Sequence, residues 1–276
     1  MELWFTEKQT ENFGITAKVS RTLHTERTPY QQIDVLETVE YGRMLVLDGM
    51  VMCTDRDEFI YHEMIAHVPL FTHPDPKQVL VIGGGDGGTI REVVKHPRVE
   101  RAVLAEIDER VIAVSQEYFP ALSQGFADPR VKIEVGDGIA HVKANKDTYD
   151  VILVDSTEPI GPAEGLFARE FYEGIYEALR PGGVFVAQTE SPLFNAALIS
   201  RIWRDIASIY PVTRLYLAPV PTYPTGMWSF TLGSKGPDPL QAEGEDETPI
   251  DTRYYTPEVH RASFALPRFV EELLAR

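Results

Sequence analysis

One short stretch limits what this chain can fold into. Val79-Leu80-Val81-Ile82 runs directly into Gly83-Gly84-Gly85-Asp86-Gly87-Gly88, and a helical pattern begins at Thr89. Five glycines in six positions, with an apolar run before and a helix after, allow a sharp strand-to-helix turn. They also let the backbone approach a bound nucleoside closely. No Lys-Ser/Thr follows the glycines, so the turn is not a phosphate-binding P-loop. A dinucleotide site would put a pyrophosphate on the following helix. Asp86 inside the turn would repel that phosphate, so the ligand is expected to present positive charge instead.

The surrounding pattern says what the turn belongs to. Short apolar runs at 78–82, 101–107, 131–135, 149–154 and 183–188 alternate with helical patterns at 89–95, 109–118, 139–143 and 171–179. Near-continuous β-branched strands between helices imply a parallel sheet covered on both faces, a doubly wound Rossmann-like α/β sheet of the methyltransferase type. Pro181-Gly182-Gly183 reads as a helix stop, and further strands are expected at 213–217 and 229–233. A helix over 58–68 precedes the sheet and is expected to break at Pro69, and a short helix over 269–274 ends the chain. Before residue 55 the pattern differs. Alternation at 15–20, an extended segment at 33–39 and Met44-Leu45-Val46-Leu47 closed by Asp48-Gly49 predict a small antiparallel β-module. Two domains follow, 1–55 and 56–276. The segment 236–251, rich in Pro, Gly and acids, reads as a solvated loop.

Charge excludes several functions. Twenty-six Lys and Arg against 42 Asp and Glu give a formal net charge of −16. A general nucleic-acid binder needs a basic face, and so does attachment to anionic membranes. Cationic partners remain compatible. Cys53 is the single cysteine, so no internal disulfide can form, and a lone thiol suits a reducing compartment. The N-terminus has no signal-peptide pattern, and no window approaches a membrane span. A soluble cytoplasmic protein is expected.

Further acids fall at strand ends. Glu106 lies 21 residues after Gly85, where an acid at the tip of the second strand accepts from ribose hydroxyls. Asp108 suits the cap of the next helix. Asp137, in Gly136-Asp137-Gly138, is placed either to accept from an adenine amino group or to cap the helix behind it. Asp155 and Glu158 follow the fourth strand, ahead of a Pro/Gly loop. Clustered carboxylates need a cation. The acids sit on separate segments without a histidine-rich ligand set, which points to an organic cation rather than a metal.

These segments resemble the spermidine synthases, the polyamine aminopropyltransferases. Leu47-Asp48-Gly49, Arg56-Asp57-Glu58-Phe59-Ile60-Tyr61-His62-Glu63, the glycine turn, Glu106-Ile107-Asp108, Gly136-Asp137-Gly138, the stretch 155–167 and Pro221-Thr222-Tyr223-Pro224 carry the likeness. The resemblance implies transfer of an aminopropyl group from decarboxylated S-adenosylmethionine to putrescine. The products are spermidine and methylthioadenosine, with no further cofactor. It implies that Gln31, Glu106, Asp137, Gly138 and Pro162 line the nucleoside site. His62, Asp86, Asp155, Ser156, Thr157, Glu158 and Tyr223 would line the polyamine site. Asp155 would take the proton from the attacking amine with Tyr61 beside it, and the chain would form a homodimer or homotetramer. On residues alone, Tyr61 and Tyr223 could equally be packing aromatics and His62 a satisfied polar histidine. Two positions depart from common family usage: Met52 stands where many members have Gln, and Glu158 where others have Asp. A diamine N-methyltransferase on the same scaffold and a non-catalytic polyamine binder are the alternatives.

Overall fold

The computed structural model describes residues 2–158, 161–242 and 250–275. Pro159, Ile160, the Pro162 side chain and the acidic run 243–247 lie outside the described residues. Five strands come first: β1 (Leu3–Thr10), β2 (Phe13–Arg27), β3 (Gln32–Thr38), β4 (Gly42–Leu47) and β5 (Met50–Thr54). They form one antiparallel sheet in chain order. Alternation fixes its faces: Ile33 and Val35 of β3 are buried with Leu45 and Leu47 of β4, and this layer packs on Val111, Val114 and Phe119 of the second unit. β1 and β5 are absent from the predicted strands because neither shows a clean two-residue alternation.

The helix α1 (Glu58–Thr72) joins the two sheets. It does not break at Pro69. Pro69 lies in the last turn, where only one amide donor is lost, and burial of Val68, Leu70 and Phe71 holds the turn together. Next come β6 (Gln78–Gly83), α2 (Gly88–Val93), β7 (Arg101–Glu106), α3 (Glu109–Tyr118), α4 (Pro120–Ser123), β8 (Val131–Val135), α5 (Gly138–Ala144), β9 (Tyr149–Asp155), α6 (Arg169–Ala178), β10 (Leu179–Gln188), α7 (Ala196–Ile209), β11 (Val212–Pro219), β12 (Met227–Ser234), α8 (Pro257–Ser263) and α9 (Arg268–Leu274). The second sheet has the order β11-β12-β10-β9-β6-β7-β8. Its contacts are parallel from β10 through β8, and β12 pairs antiparallel with both β10 and β11. This is the expected Rossmann-like sheet.

Two boundaries differ from the sequence reading. β10 begins at Leu179 and crosses Pro181-Gly182-Gly183 with a register shift before Val184, where a plain stop was expected. α7 was not predicted, although its buried Ile199, Ile202 and Ile206 recur at helical spacing. Leu80, Ile82, Ile152 and Val154 face one helical layer, and Val79, Val81, Val151 and Leu153 face the other. The chain order reverses between β6 and β9, so the crevice beyond their carboxyl ends is where a doubly wound sheet binds its ligand. Among the described residues, no helix is long and apolar enough to cross a membrane.

Candidate active site

At that reversal Gly83 pairs with Asp155 in the β6–β9 register. Gly83 and Gly84 have φ of 77° and 71°, a conformation that L side chains rarely adopt. A Cβ on Gly84 would lie 2.6 Å from Asp155 Oδ2. The glycines therefore turn the chain and also clear room for the carboxylate at the tip of β9.

Asp155 is held at both oxygens. Tyr61, on the buried face of α1, donates its hydroxyl to Oδ1 at 2.8 Å, and Thr89 of α2 donates to Oδ2 at 2.6 Å. Burial and the neighbouring Asp86 push the Asp155 pKa above the ordinary aspartate value despite these donors. Asp86 moves the other way. Burial opposes its charge, but His62 and the Gly88 amide lower its pKa. Single atoms of His62, Asp86 and Asp155 lie within 4.8 Å of one another. His62 Nδ1 faces Glu58 at 2.6 Å and Nε2 faces Asp86 at 3.3 Å. The cluster suits an ammonium group.

The surrounding cleft is about 1170 Å³. Along its wall, Glu106 is buried at the tip of β7 and accepts the Asp108 amide at 2.9 Å. Burial raises its pKa to about 7. Asp108 caps α3 as expected and also accepts from Thr28 and Gln31 of the N-terminal sheet. Gln31 thus lines the cleft while tethered across the two units. Asp137 caps α5 through Oδ1, accepting the Ile139 amide at 2.8 Å, and lines the cleft as well. The two readings of Asp137 are compatible in the fold. Gly138 lies beside it against Ile82, where a Cβ would clash.

Matches to known proteins follow this geometry. Residues 3–55 match the spermidine synthase tetramerisation domain, and residues 58–241 match the spermine/spermidine synthase domain. The chain is 58% identical over 274 residues to a polyamine aminopropyltransferase of Shouchella clausii, covering 99% of this chain and all of that one. It is 61% identical over 272 residues to one from Desulforudis audaxviator, covering 99% of each. The chain belongs to the spermidine synthase family. A crystal structure of a spermidine synthase with the transition-state analogue AdoDATO superimposes with a TM-score of 0.97 at 45% identity, covering 99% of this chain and 95% of that one. The resemblance read from the motifs and the Rossmann-like fold are thereby shown, and the chain is an enzyme of this family.

The remaining residues predicted for the polyamine site lie along the cleft and a second cavity. Ser156 and Thr157 line both the cleft and a second cavity of about 350 Å³ that opens beside it, and Glu158 lines the second cavity. Tyr223 forms a wall of both. Its ring meets Tyr61 edge-on at 5.8 Å, and its hydroxyl is spent on the Met52 carbonyl at 2.7 Å. Its O–H is thus already committed as a donor. Pro162 sits in the turn Gly161–Phe167, with its side chain outside the described residues.

Sequence reasoning missed three residues of the second cavity: Glu7 of β1, Gln188 at the end of β10, and Glu190. Burial raises the Glu7 pKa to about 7 and the Glu190 pKa to about 8, with the Glu158 charge adding to both. Glu190 is fully buried at a φ of 70°, an uncommon conformation for a non-glycine residue. Glu7, Glu158 and Glu190 line this cavity together with Trp228 and Tyr223. The available signal for Glu190 was an acid two residues past the end of a strand. Glu7 gave none.

Proposed function

We propose that this enzyme transfers the aminopropyl group of decarboxylated S-adenosylmethionine to putrescine, giving spermidine and methylthioadenosine. The observation that carries the reading is the position of Asp155, a buried carboxylate of raised pKa that lines the cleft and accepts from Tyr61, a residue shared by the cleft and the acidic cavity. An alkyl ammonium has a pKa near that of lysine, about 10, so it must lose a proton before it can attack. Asp155 accepts that proton. The freed lone pair attacks the methylene next to the sulfonium, and the C–S bond breaks with its electrons passing to sulfur. The leaving group is a neutral thioether, so the reaction needs no metal or cofactor. Alignment of nitrogen, carbon and sulfur in the cleft supplies much of the rate.

The nucleoside lies against Glu106, Gln31, Asp137, Gly138 and Pro162. The donor's aminopropyl ammonium pairs with Asp86, a residue that would repel the carboxylate of ordinary S-adenosylmethionine; this disfavours the N-methyltransferase reading. The far ammonium of the diamine enters among Glu7, Glu158 and Glu190. We further take 1–55 and 56–276 as the two domains, with the first assembling a homodimer or homotetramer. The match of residues 3–55 to a tetramerisation domain and the exposed Leu3, Trp4 and Phe13 support this. We place the enzyme in the cytoplasm, consistent with the buried free thiol of Cys53.

One assay decides the reading. The purified chain receives decarboxylated S-adenosylmethionine, and in a parallel reaction S-adenosylmethionine, with putrescine, cadaverine, agmatine and a longer amine in competition, and binding of donor and amine is measured alongside. Methylthioadenosine and spermidine are expected. Binding of both ligands without product would leave a polyamine-binding protein, and methylated diamine from S-adenosylmethionine would leave a methyltransferase.

A further inference from the structure

A buried row of charges behind Asp86 has no part in the chemistry described so far. Arg91 of α2 grips Glu58 of α1 with two nitrogens, Nη1 to Oε1 at 3.0 Å and Nη2 to Oε2 at 2.8 Å. Glu58 Oε2 in turn lies 2.6 Å from His62 Nδ1, and His62 Nε2 lies 3.3 Å from Asp86 Oδ1. The side chains of Glu58 and His62 are 7% and 2% exposed. Arg91 is anchored from behind by Glu92, which accepts from its Nε at 2.8 Å.

Geometry sets the protonation of this row. Each ring nitrogen of His62 faces a carboxylate oxygen. A neutral imidazole would aim a lone pair at one of them, so both nitrogens carry protons. The ring can lie here because Gly88 begins α2. A Cβ on Gly88 would collide with His62 Nδ1 and Cε1. Asp86 Oδ1 accepts the Gly88 amide at 2.7 Å and lies 3.3 Å from His62 Nε2. Asp86 itself lines the cleft.

The geometry points to Glu58 as a positioning residue. Locked by Arg91, it holds the His62 ring against Asp86 Oδ1, so that the Asp86 carboxylate is presented to the primary ammonium of the aminopropyl donor. The inference rests on the proposed role of Asp86. Several charged or titratable groups surround His62. Glu58 and the Tyr61 ring lie on its own helix, the ring edge-on at 5.5 Å. Asp86 follows β6, Arg91 lies on α2 behind Glu58, and Asp155 ends β9. Cys53 of β5 also senses the charges of Asp86 and Glu58. The acids outweigh the burial that would discharge the ring, and the His62 pKa stands well above the ordinary histidine value.

Glu58→Gln removes the charge and keeps the shape. The donor's KM is expected to rise roughly tenfold, the scale of one charge-assisted hydrogen bond. The dissociation constant of methylthioadenosine, which has no aminopropyl tail, stays unchanged. A role confined to folding would weaken both. The variant's kcat/KM for the donor also gains a fall with rising pH, as His62 now loses its proton within about pH 6 to 9. In the parent chain, nitrogen-15 NMR of labelled histidine reads both His62 nitrogens as protonated across that range. If Glu58→Gln does not fold, Arg91→Lys, which loses the two-pronged grip, shows the same KM split to a smaller degree. Ordinary titration of His62 in the parent chain overturns the inference, and so does a pH profile and KM split unaltered in the variant. Failure of the parent chain to make methylthioadenosine would instead sink the proposed reaction, with the NMR result standing apart from it.

Discussion

Asp155→Asn is the sharpest test of the proposed base, because its cost to the fold and its cost to the reaction differ widely. The substitution is nearly isosteric. Asparagine Oδ1 still accepts the Tyr61 hydroxyl, now 2.8 Å from Asp155 Oδ1, and the Thr89 hydroxyl can rotate to accept from the new amide. One neutral hydrogen bond exchanged for another alters stability by about 1 kcal/mol. Removing a buried carboxylate that lies near Asp86 offsets part even of that. Catalysis loses much more. Without a proton acceptor on the attacking nitrogen, turnover is expected to fall by about 10²–10⁴, or about 3–5 kcal/mol of barrier. The assay measures methylthioadenosine release with both substrates saturating, beside the dissociation constant of methylthioadenosine and the thermal midpoint. Expected are a large loss of turnover, unchanged nucleoside binding and a midpoint near the parent's. Turnover within a few-fold of the parent would remove Asp155 from the base role.

Three further outcomes follow from the same geometry. Asp155 must be ionised to act and burial raises its pKa, so the acid limb of kcat/KM should lie above the ordinary aspartate range; a limb confined below about pH 4 would contradict this. Glu190 has its pKa raised from 4.5 to about 8, so the folded state binds its proton more tightly than the unfolded one. Its contribution is therefore present at acid pH and lost as pH rises towards 8. Denaturant titrations should find Glu190→Gln more stable than the parent by a few kcal/mol at about pH 8.5, with no gain near about pH 5. Gly84→Ala places a side chain at a φ of 71° and beside Asp155 Oδ2. About 1–2 kcal/mol of stability should go, read from the thermal midpoint, together with a loss of kcat larger than strain alone explains.

The sequence was most legible where a local pattern and the sheet topology point to one place. A parallel sheet brings the carboxyl ends of its strands to one edge, so Asp86, Glu106, Asp137 and Asp155 could be gathered there from strand ends alone. The hydrogen bonds between elements could not be read. Tyr61 and Asp155 are 94 positions apart, and the choice between a packing tyrosine and a donor to Asp155 depends on how α1 crosses β9. Glu7 faces Glu190 across the gap between the two sheets, and its only local signature is an acid on a strand of mixed exposure. Pro69 misled for a related reason: local propensity predicts a break, and tertiary burial of the last turn overrides it.

Asp86 and Asp155 explain how two neighbouring carboxylates serve opposite purposes. Left alone, a close buried pair would share one proton, and neither would be a dependable anion. Here the environments pull them apart. Asp86 receives a charged donor from His62 and an amide from Gly88, and its pKa falls. Asp155 receives only neutral hydroxyls, and its pKa rises in the field of Asp86. A carboxylate that stays charged suits a cation that keeps its charge throughout, the donor's primary ammonium. A carboxylate of raised proton affinity suits a cation that must surrender a proton, the attacking amine. Two acids with displaced pKa values mark an acid–base division of labour. The row from Arg91 through Glu58 and His62 is what keeps them apart, because without a cation behind Asp86 the two carboxylates would again compete for one proton.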